Sequence, residues 1–520
     1  MKKISLSGSS GLIGSEALAS VVVFLVALPL CLGISIASGV PPTAGLITGI
    51  IGGLVVGAIA GSPLQVSGPA AGLTVLIWEI VQGHGLPMLG VIVLLAGVFQ
   101  MVAGSLRLGQ WFRAVSPAVI HGMLAGIGIL IFTSQFHVML DGKPIGKGID
   151  NLLGIPGALS HAFQAGGQPV AAFAIGALTI AVIALWATFA PKKLKILPGP
   201  LVAVTTAVAT AAFLHLKIKY IPDLLANPED INNIWGSIRL PVLDDLKHVI
   251  DTDILVAAGS VAFIASAETL LCASAVDQMH QGPRTKYDKE LFAQGVGNAL
   301  CGIAGVLPMT GVIVRSSANV DAGAKTRLSA ILHGVWLLLF AAVLPFTLRY
   351  IPVASLAGLL VYTGYKLAYP KIVPKLLHYG KTEATIYLVT IVTIVSTDLL
   401  KGVLLGLALS LLKLLYVFSH LEVLREDGED GKRVDFHLKG AATLIRLPML
   451  AAELEQVRPE TEVHVHFEEL DYIDHACLDL LTNWEKQHEA SGGNLQIEWE
   501  ELSWKYHQRR RPLLPKPAAT

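Results

Sequence analysis

Apolar residues run through this chain in long blocks rather than in strand-like alternation. Measured against the ~20 residues that carry a helix across a bilayer, the blocks predict spans near 16–38, 43–61, 68–82, 86–106, 115–134, 168–190 and 196–216. A second set falls near 252–275, 290–306, 309–322, 327–348, 352–368, 382–397 and 400–419. The third member of each set is short and carries Pro and Gly at its start. In the first set this is Ser67-Gly68-Pro69-Ala70-Ala71-Gly72-Leu73-Thr74; in the second it is Leu307-Pro308-Met309-Thr310-Gly311. A Pro in the first turn of a helix loses no intrahelical hydrogen bond, so both stretches predict helices that start partway through the bilayer. Unpaired backbone at that depth persists only where protein or a water-filled cavity covers it. Interrupted spans at matching places in two halves point to a transporter's substrate site. If their N-termini face one another, the partial positive charge suits a small anion. An odd number of spans per set makes the second set enter from the opposite side. The predicted fold class is therefore a polytopic α-helical membrane protein, about 14 spans in a 7+7 inverted repeat, with a small cytoplasmic α/β domain after it. Pro29 is expected to kink the first span.

Composition agrees. Only 15% of the 520 residues are charged and 53% are hydrophobic, with mean hydropathy +0.63, whereas soluble domains are about a quarter charged. The net charge of zero gives no reason to expect a nucleic-acid partner. Cys31, Cys272, Cys301 and Cys477 are scattered, with neither metal-ligand spacing nor a disulfide framework, and no cofactor is expected. Lys2 and Lys3 precede an apolar run from Ala17 that exceeds a signal-peptide core and reads as a retained first span.

Basic residues set the orientation. With the N-terminus cytoplasmic, the inner loops hold Arg107 and Arg113; Lys192, Lys193 and Lys195; Arg284, Lys286 and Lys289; Lys325 and Arg327; and Lys371, Lys375 and Lys381. The outer connections, 135–167 and 217–251, are longer, and the second carries Asp223, Glu229, Asp230, Asp244 and Asp245. A transmembrane domain is thus expected over 1–420, with repeats about 16–216 and 252–419. Residues 421–433 read as a charged linker. Val434–Leu438, Glu462–Phe467 and Leu495–Trp499 read as short strands, and Leu447–Val457 and Ala476–His488 as amphipathic helices, making an α/β domain over 434–503. The tail, 504–520, with Arg509, Arg510, Arg511 and several prolines, reads as disordered.

Within the spans, Glu268 carries the strongest chemical signal. An acid deep in an apolar span costs ~2.5–3.5 kcal/mol on insertion scales, so it faces an interior pathway as a rule. A reversible proton carrier, a Na⁺ ligand and a protonated structural Glu are the three readings. Arg315, about one turn past the second interrupted start, either concentrates anions, pairs with Glu268 or snorkels to the cytoplasmic surface. His121 and His333 read as core histidines or proton relays. Asp398 reads as a turn residue. His464 and His466 share a strand face but have no third metal ligand in sequence. Ser67, Thr74 and Thr310 supply hydroxyls near the helix starts.

These motifs resemble the sulfate permease (SulP) family of anion transporters. The resemblance rests on Ala27-Leu28-Pro29, Ser67-Gly68-Pro69-Ala70-Ala71, Glu268-Thr269-Leu270-Leu271-Cys272, and Arg315-Ser316-Ser317-Ala318-Asn319-Val320 running on to Ala322-Gly323-Ala324-Lys325-Thr326-Arg327. The C-terminal domain resembles the STAS domain of that family. The resemblance implies a 7+7 inverted repeat in which a core moves against a gate, a homodimer, and a place in the bacterial inner (plasma) membrane among membrane lipid. It puts anion binding at Ala70, Ala71, Thr310, Gly311 and Val312, largely through backbone N–H groups, and cation coupling at Glu268, with Cys272 beside it. Ser67 and Arg315 join the anion site on the residue reading above. Three departures stand out. Glu268 and Cys272 replace the Asp and Thr of sodium-coupled bicarbonate carriers, which favours H⁺ over Na⁺. Leu30 follows Pro29 where many sulfate-type members have Gln. Asp474-His475-Ala476-Cys477 replaces the Asp-Ser-x-Gly pattern, so no serine stands there for phosphorylation.

The expected function is secondary active symport of a small inorganic anion, sulfate or bicarbonate, coupled to H⁺. The alternatives are Na⁺-coupled bicarbonate uptake, C4-dicarboxylate symport and an uncoupled anion channel. An enzyme would need a nucleophile with its base, or a metal cluster, within the spans, and neither is found in the sequence.

Overall fold

The computed structural model describes residues 7–110, 116–145, 148–191, 194, 197–224, 234–241, 247–368, 372–418, 420–428, 432–467 and 470–497. Lys2, Lys3, Arg113, Lys192, Lys193, Lys195, Glu229, Asp230, Asp244, Asp245, Lys371, Trp499 and the tail with Arg509–Arg511 lie outside the described residues. The chain forms two compact units, one through Leu407 and one from Ala408.

The first unit is helical. Its first half contains α1 (Ser7–Ala37), α2 (Pro42–Ile51, continued by a π turn to Ile59), β1 (Ser67–Pro69), α3 (Thr74–Ser105), α4 (Pro117–Met139), α5 (Gly148–Ala165), α6 (Gln168–Phe189) and α7 (Gly199–Phe213). The second half contains α8 (Thr252–Met279), α9 (Tyr287–Ile303), β2 (Met309–Gly311), α10 (Ile313–Asp321), α11 (Leu328–Val343), α12 (Val353–Ala368), α13 (Lys381–Ser396) and the start of α14 (Leu399–Phe418), a helix divided between the two units at Leu407. Among the described residues, seven helical stretches are long and apolar enough to cross a membrane; α7 and α11 are shorter apolar helices.

The packing repeats with the halves exchanged. Helix α1 packs on α11 as α8 packs on α3; α2 packs on α11 as α9 packs on α3; α4 packs on α13 as α12 packs on α6. Helices α4 and α12, and strands β1 and β2, pack on each other as mutual counterparts. This is the pattern an inverted repeat requires. Close backbone approach makes the seams: a Cβ on Gly53 would meet the Cα of Gly334 at 2.6 Å, and one on Gly97 would meet the backbone of Ala299.

Two sequence expectations change here. The stretches from 68 and 309 do not begin as helix. Ser67–Pro69 and Met309–Gly311 are extended and pair antiparallel, with Ser67 opposite Gly311, Gly68 opposite Thr310 and Pro69 opposite Met309. Helix begins only at Ala71–Leu73, as a 3₁₀ turn leading into α3, and at Ile313. Pro forces the residue before it toward extended backbone. Because Val312 N–H donates to Val66 O (2.9 Å), ladder alternation puts Pro69 at a non-hydrogen-bonded pair, where its missing N–H costs nothing. The stretch Thr74–Ser105 is in fact two helices that meet at a non-helical Gly85 (φ 80°), two residues before Pro87, at the place where the spans expected over 68–82 and 86–106 divide. The second change is that the outer connection 135–167 contains the amphipathic α5.

The second unit is a mixed sheet in the order β3-β4-β5-β7, with β6 also pairing β4. The strands are β3 (Leu421–Asp427), β4 (Arg433–Ala442), β5 (Glu462–His466), β6 (Leu470–Ile473) and β7 (Asn494–Ile497). Only β3 runs antiparallel to its neighbour. Along β4, Val434, Phe436 and Leu438 turn inward while Asp435 and His437 turn outward, the period-two alternation of a half-buried strand. Helices α15 (Leu447–Glu455) and α16 (His475–Ala490) close the core with Leu450, Leu454, Cys477 and Leu481. The expected linker over 421–433 is instead largely β3. It is an edge strand whose charged residues conceal the alternation.

Candidate anion site

The site is built around the two crossed strands. Helix α9 carries Glu290, Gln294 and Asn298 at intervals of four, hence on one face, and all three are fully buried. Glu290 accepts from Ser62 N (2.8 Å), Gln65 Nε2 (3.1 Å) and Gln294 Nε2 (3.1 Å). Gln294 Nε2 also donates to Ser67 Oγ (2.6 Å) on β1. Asn298 brackets Met309 on β2, and Thr48 Oγ1 donates to Leu307 O (2.9 Å) just before it. The sequence reading missed this stripe, although Glu290 is a second acid in an otherwise apolar span.

Helix α8 brings Glu268, Thr269 and Cys272 to the same place. A Cβ on Gly72 would lie 2.6 Å from Glu268 Oε2, and the Gly72 N–H faces the carboxylate. Oε2 is buried without a hydrogen-bond partner. Thr269 Oγ1 accepts from Gly311 N (3.1 Å). Cys272 Sγ lies 3.6 Å from Ser316 Oγ, which itself accepts from Val66 N (2.9 Å). A small apolar cavity, ≈ 20 Å³ or about one water, lies beside Ala267 and Leu271, the neighbours of Glu268, against Val119, Met123 and Val403.

Arg315 is fully buried, which excludes snorkelling, and no ion pair joins it to Glu268 among the described residues. Its Nη2 contacts Cys31 Sγ at 3.4 Å, while Nε and Nη1 have no partner. The guanidinium lies against Gly68, where any Cβ would collide with Nη1. The charge therefore lies directly behind β1. His333 is also buried; its Nδ1 is 3.0 Å from Ala330 O and its Nε2 has no partner.

The N–H groups expected to meet an anion need revision. Those of Gly311 and Val312 are already engaged, by Thr269 and Val66, because β2 needs its edge satisfied at this depth. Gly311 ends the strand and Val312 is the extended residue before α10, while the open first turns begin at Ala70 and Ala71 on one side and at Ile313 and Val314 on the other. Ile313 and Val314 are 39% and 41% exposed, so the start of α10 is accessible. Thr310 is fully buried, and the Thr74 hydroxyl is buried without a partner.

The sulfate permease family profile matches residues 14–390. The putative sulfate transporter YvdB of Bacillus subtilis (strain 168) is 30% identical over 406 residues, covering 76% of this chain and 72% of its own. The bicarbonate transporter BicA of Picosynechococcus sp. (strain ATCC 27264 / PCC 7002 / PR-6) is 30% identical over 356 residues, covering 65% of this chain and 59% of its own. Among solved structures, the inward-facing murine Slc26a9 anion transporter superposes with a TM-score of 0.77 at 15% identity, covering 98% of this chain and 92% of that one. The transmembrane domain of a cyanobacterial BicA gives 0.62 at 24% identity, covering 76% and 97%. A multi-pass helical fold, paired interrupted spans and a match over most of the chain agree: this chain belongs to the sulfate permease family and is an anion transporter, not an enzyme.

Proposed function

We propose that the protein is a symporter that carries a small oxyanion, sulfate or bicarbonate, together with H⁺. The observation that carries this reading is the unpartnered Glu268 Oε2 packed against Gly72 at the start of α3. Two helix N-termini and Arg315 favour an anion between Ala70–Ala71 and Ile313–Val314. An ionised Glu268 opposes it. Protonation removes that opposition, so proton and anion favour each other's binding, and by linkage the effect is reciprocal. Cys272 offers a thiol held against Ser316 where Na⁺ would need a hard oxygen, which favours H⁺ as the coupling ion. The reading includes a homodimer with the N-terminus and the STAS-like unit cytoplasmic. Uptake of labelled sulfate and bicarbonate into proteoliposomes, under separately imposed pH and Na⁺ gradients, tests it. Accumulation driven by an inward proton gradient is expected; accumulation driven by Na⁺ alone overturns the coupling.

A further inference from the structure

The strand pair at the centre of this protein is only a few residues long, and that raises a physical problem. In an antiparallel ladder every second residue points its N–H and C=O away from the partner strand. With Val312 bonded to Val66, the outward-pointing residues of β2 are Gly311 and Met309. Within a membrane such groups need a partner from the protein. Gly311 N–H has Thr269 Oγ1 (3.1 Å). Met309 has Asn298: its N–H donates to Asn298 Oδ1 (2.7 Å), and its carbonyl accepts from Asn298 Nδ2 (3.1 Å). The side-chain amide thus does the work of a third strand. Its orientation is fixed in turn, since Nδ2 also donates to Gln100 Oε1 (2.7 Å), and Gln100 Nε2 donates to Ser266 Oγ (3.1 Å). Asn298, Met309 and Gln100 are at most 1% exposed.

We infer that Asn298 is a positioning residue for the anion site: its bidentate hold on Met309 sets where β2 lies, and hence where α10 presents Ile313 and Val314. The effect on transport rests on the proposed symport reading; the hold on β2 does not. The same chain of bonds reaches α8 through Ser266, two residues before Glu268, so the strand and the acid share one hydrogen-bonded frame. The direct hold of Asn298 is on β2, and its link to α8 passes through Gln100 and Ser266.

Two readouts on Asn298→Ala separate these statements. Hydrogen–deuterium exchange over residues 307–312 needs no substrate, and the Met309 amide should exchange at least about tenfold faster than in wild type. For whichever of sulfate or bicarbonate the wild type accumulates, the half-saturating concentration should rise about tenfold with the maximal rate and pH profile kept. Asn298→Asp, which keeps the acceptor for Met309 N–H, should recover part of the exchange protection. If Asn298→Ala fails to fold, Gln100→Ala, which frees the Asn298 amide to turn and also releases Ser266, should give smaller shifts of the same sign in both readouts. Unchanged exchange at Met309 in the variant that folds overturns the inference whatever the protein transports. Faster exchange with an unchanged half-saturating concentration overturns the link to the anion site. A wild type that accumulates neither anion counts against the symport reading, while the exchange result still decides the hold on β2.

Discussion

Glu268 and Gly72 come from opposite halves of the chain, yet the carboxylate of one lies on the Cα of the other: a Cβ on Gly72 would sit 2.6 Å from Oε2. Nothing larger than glycine leaves room for the acid at the mouth of α3. Gly72→Ala should therefore displace Glu268 and reduce proton-driven uptake roughly tenfold or more, through overpacking of a tight contact. Uptake normalised to folded protein in proteoliposomes checks this, and wild-type rates in the variant would remove the contact from the mechanism.

Arg315 is the buried positive charge behind β1. Arg315→Gln should weaken anion binding about tenfold, the scale of one charge-assisted contact. Arg315→Lys should recover little, because a lysine places a point charge where a planar fork lies against Gly68. Half-saturating concentrations for the three proteins provide the comparison; equal values would leave Arg315 a packing role only.

Much of this was legible beforehand. Long apolar blocks gave the helices, and the placement of Pro and Gly marked both interruptions. The crossed strands were not legible, because a three-residue ladder has no period to detect and Pro is equally at home in a helix's first turn. The α9 stripe of Glu290, Gln294 and Asn298 carried a readable signal in its spacing. Glu268, deeper in its span, is the stronger chemical signal in sequence alone. The hold of Thr269 on Gly311, which takes an N–H from the expected anion donors, needed three-dimensional contacts to find.

Glu16 ties α1 to the segment entering α11. Its carboxylate accepts from Lys325 N (2.8 Å), Thr326 N (2.9 Å) and Ser329 N (3.1 Å) and is fully buried. Glu16→Ala strands three donors and should cost ~1–3 kcal/mol of stability. A lowered thermal midpoint in detergent is the expected result; an unchanged midpoint would mean that water replaces the carboxylate.

In the second unit, Cys477 is packed beneath the sheet next to Asp474, whose Oδ1 accepts from Cys477 N (2.9 Å). Burial first, then the neighbouring carboxylate, push its thiol up to about 12. A raised pKa disfavours the reactive thiolate until strongly alkaline pH. Iodoacetamide labelling of the Cys477 peptide should therefore stay low and nearly flat from pH 7 to 9, where an ordinary thiol near ~8.5 gains reactivity steeply. A steep rise over that interval would contradict the packing.

Coupling through Glu268 has one direct test: sulfate and bicarbonate uptake by Glu268→Gln proteoliposomes with and without an inward proton gradient. The amide keeps the shape of a neutral acid but cannot release a proton. The predicted result is that gradient-driven accumulation disappears while exchange of anion down its own gradient persists. Accumulation that still follows the imposed pH difference in the variant would contradict the account.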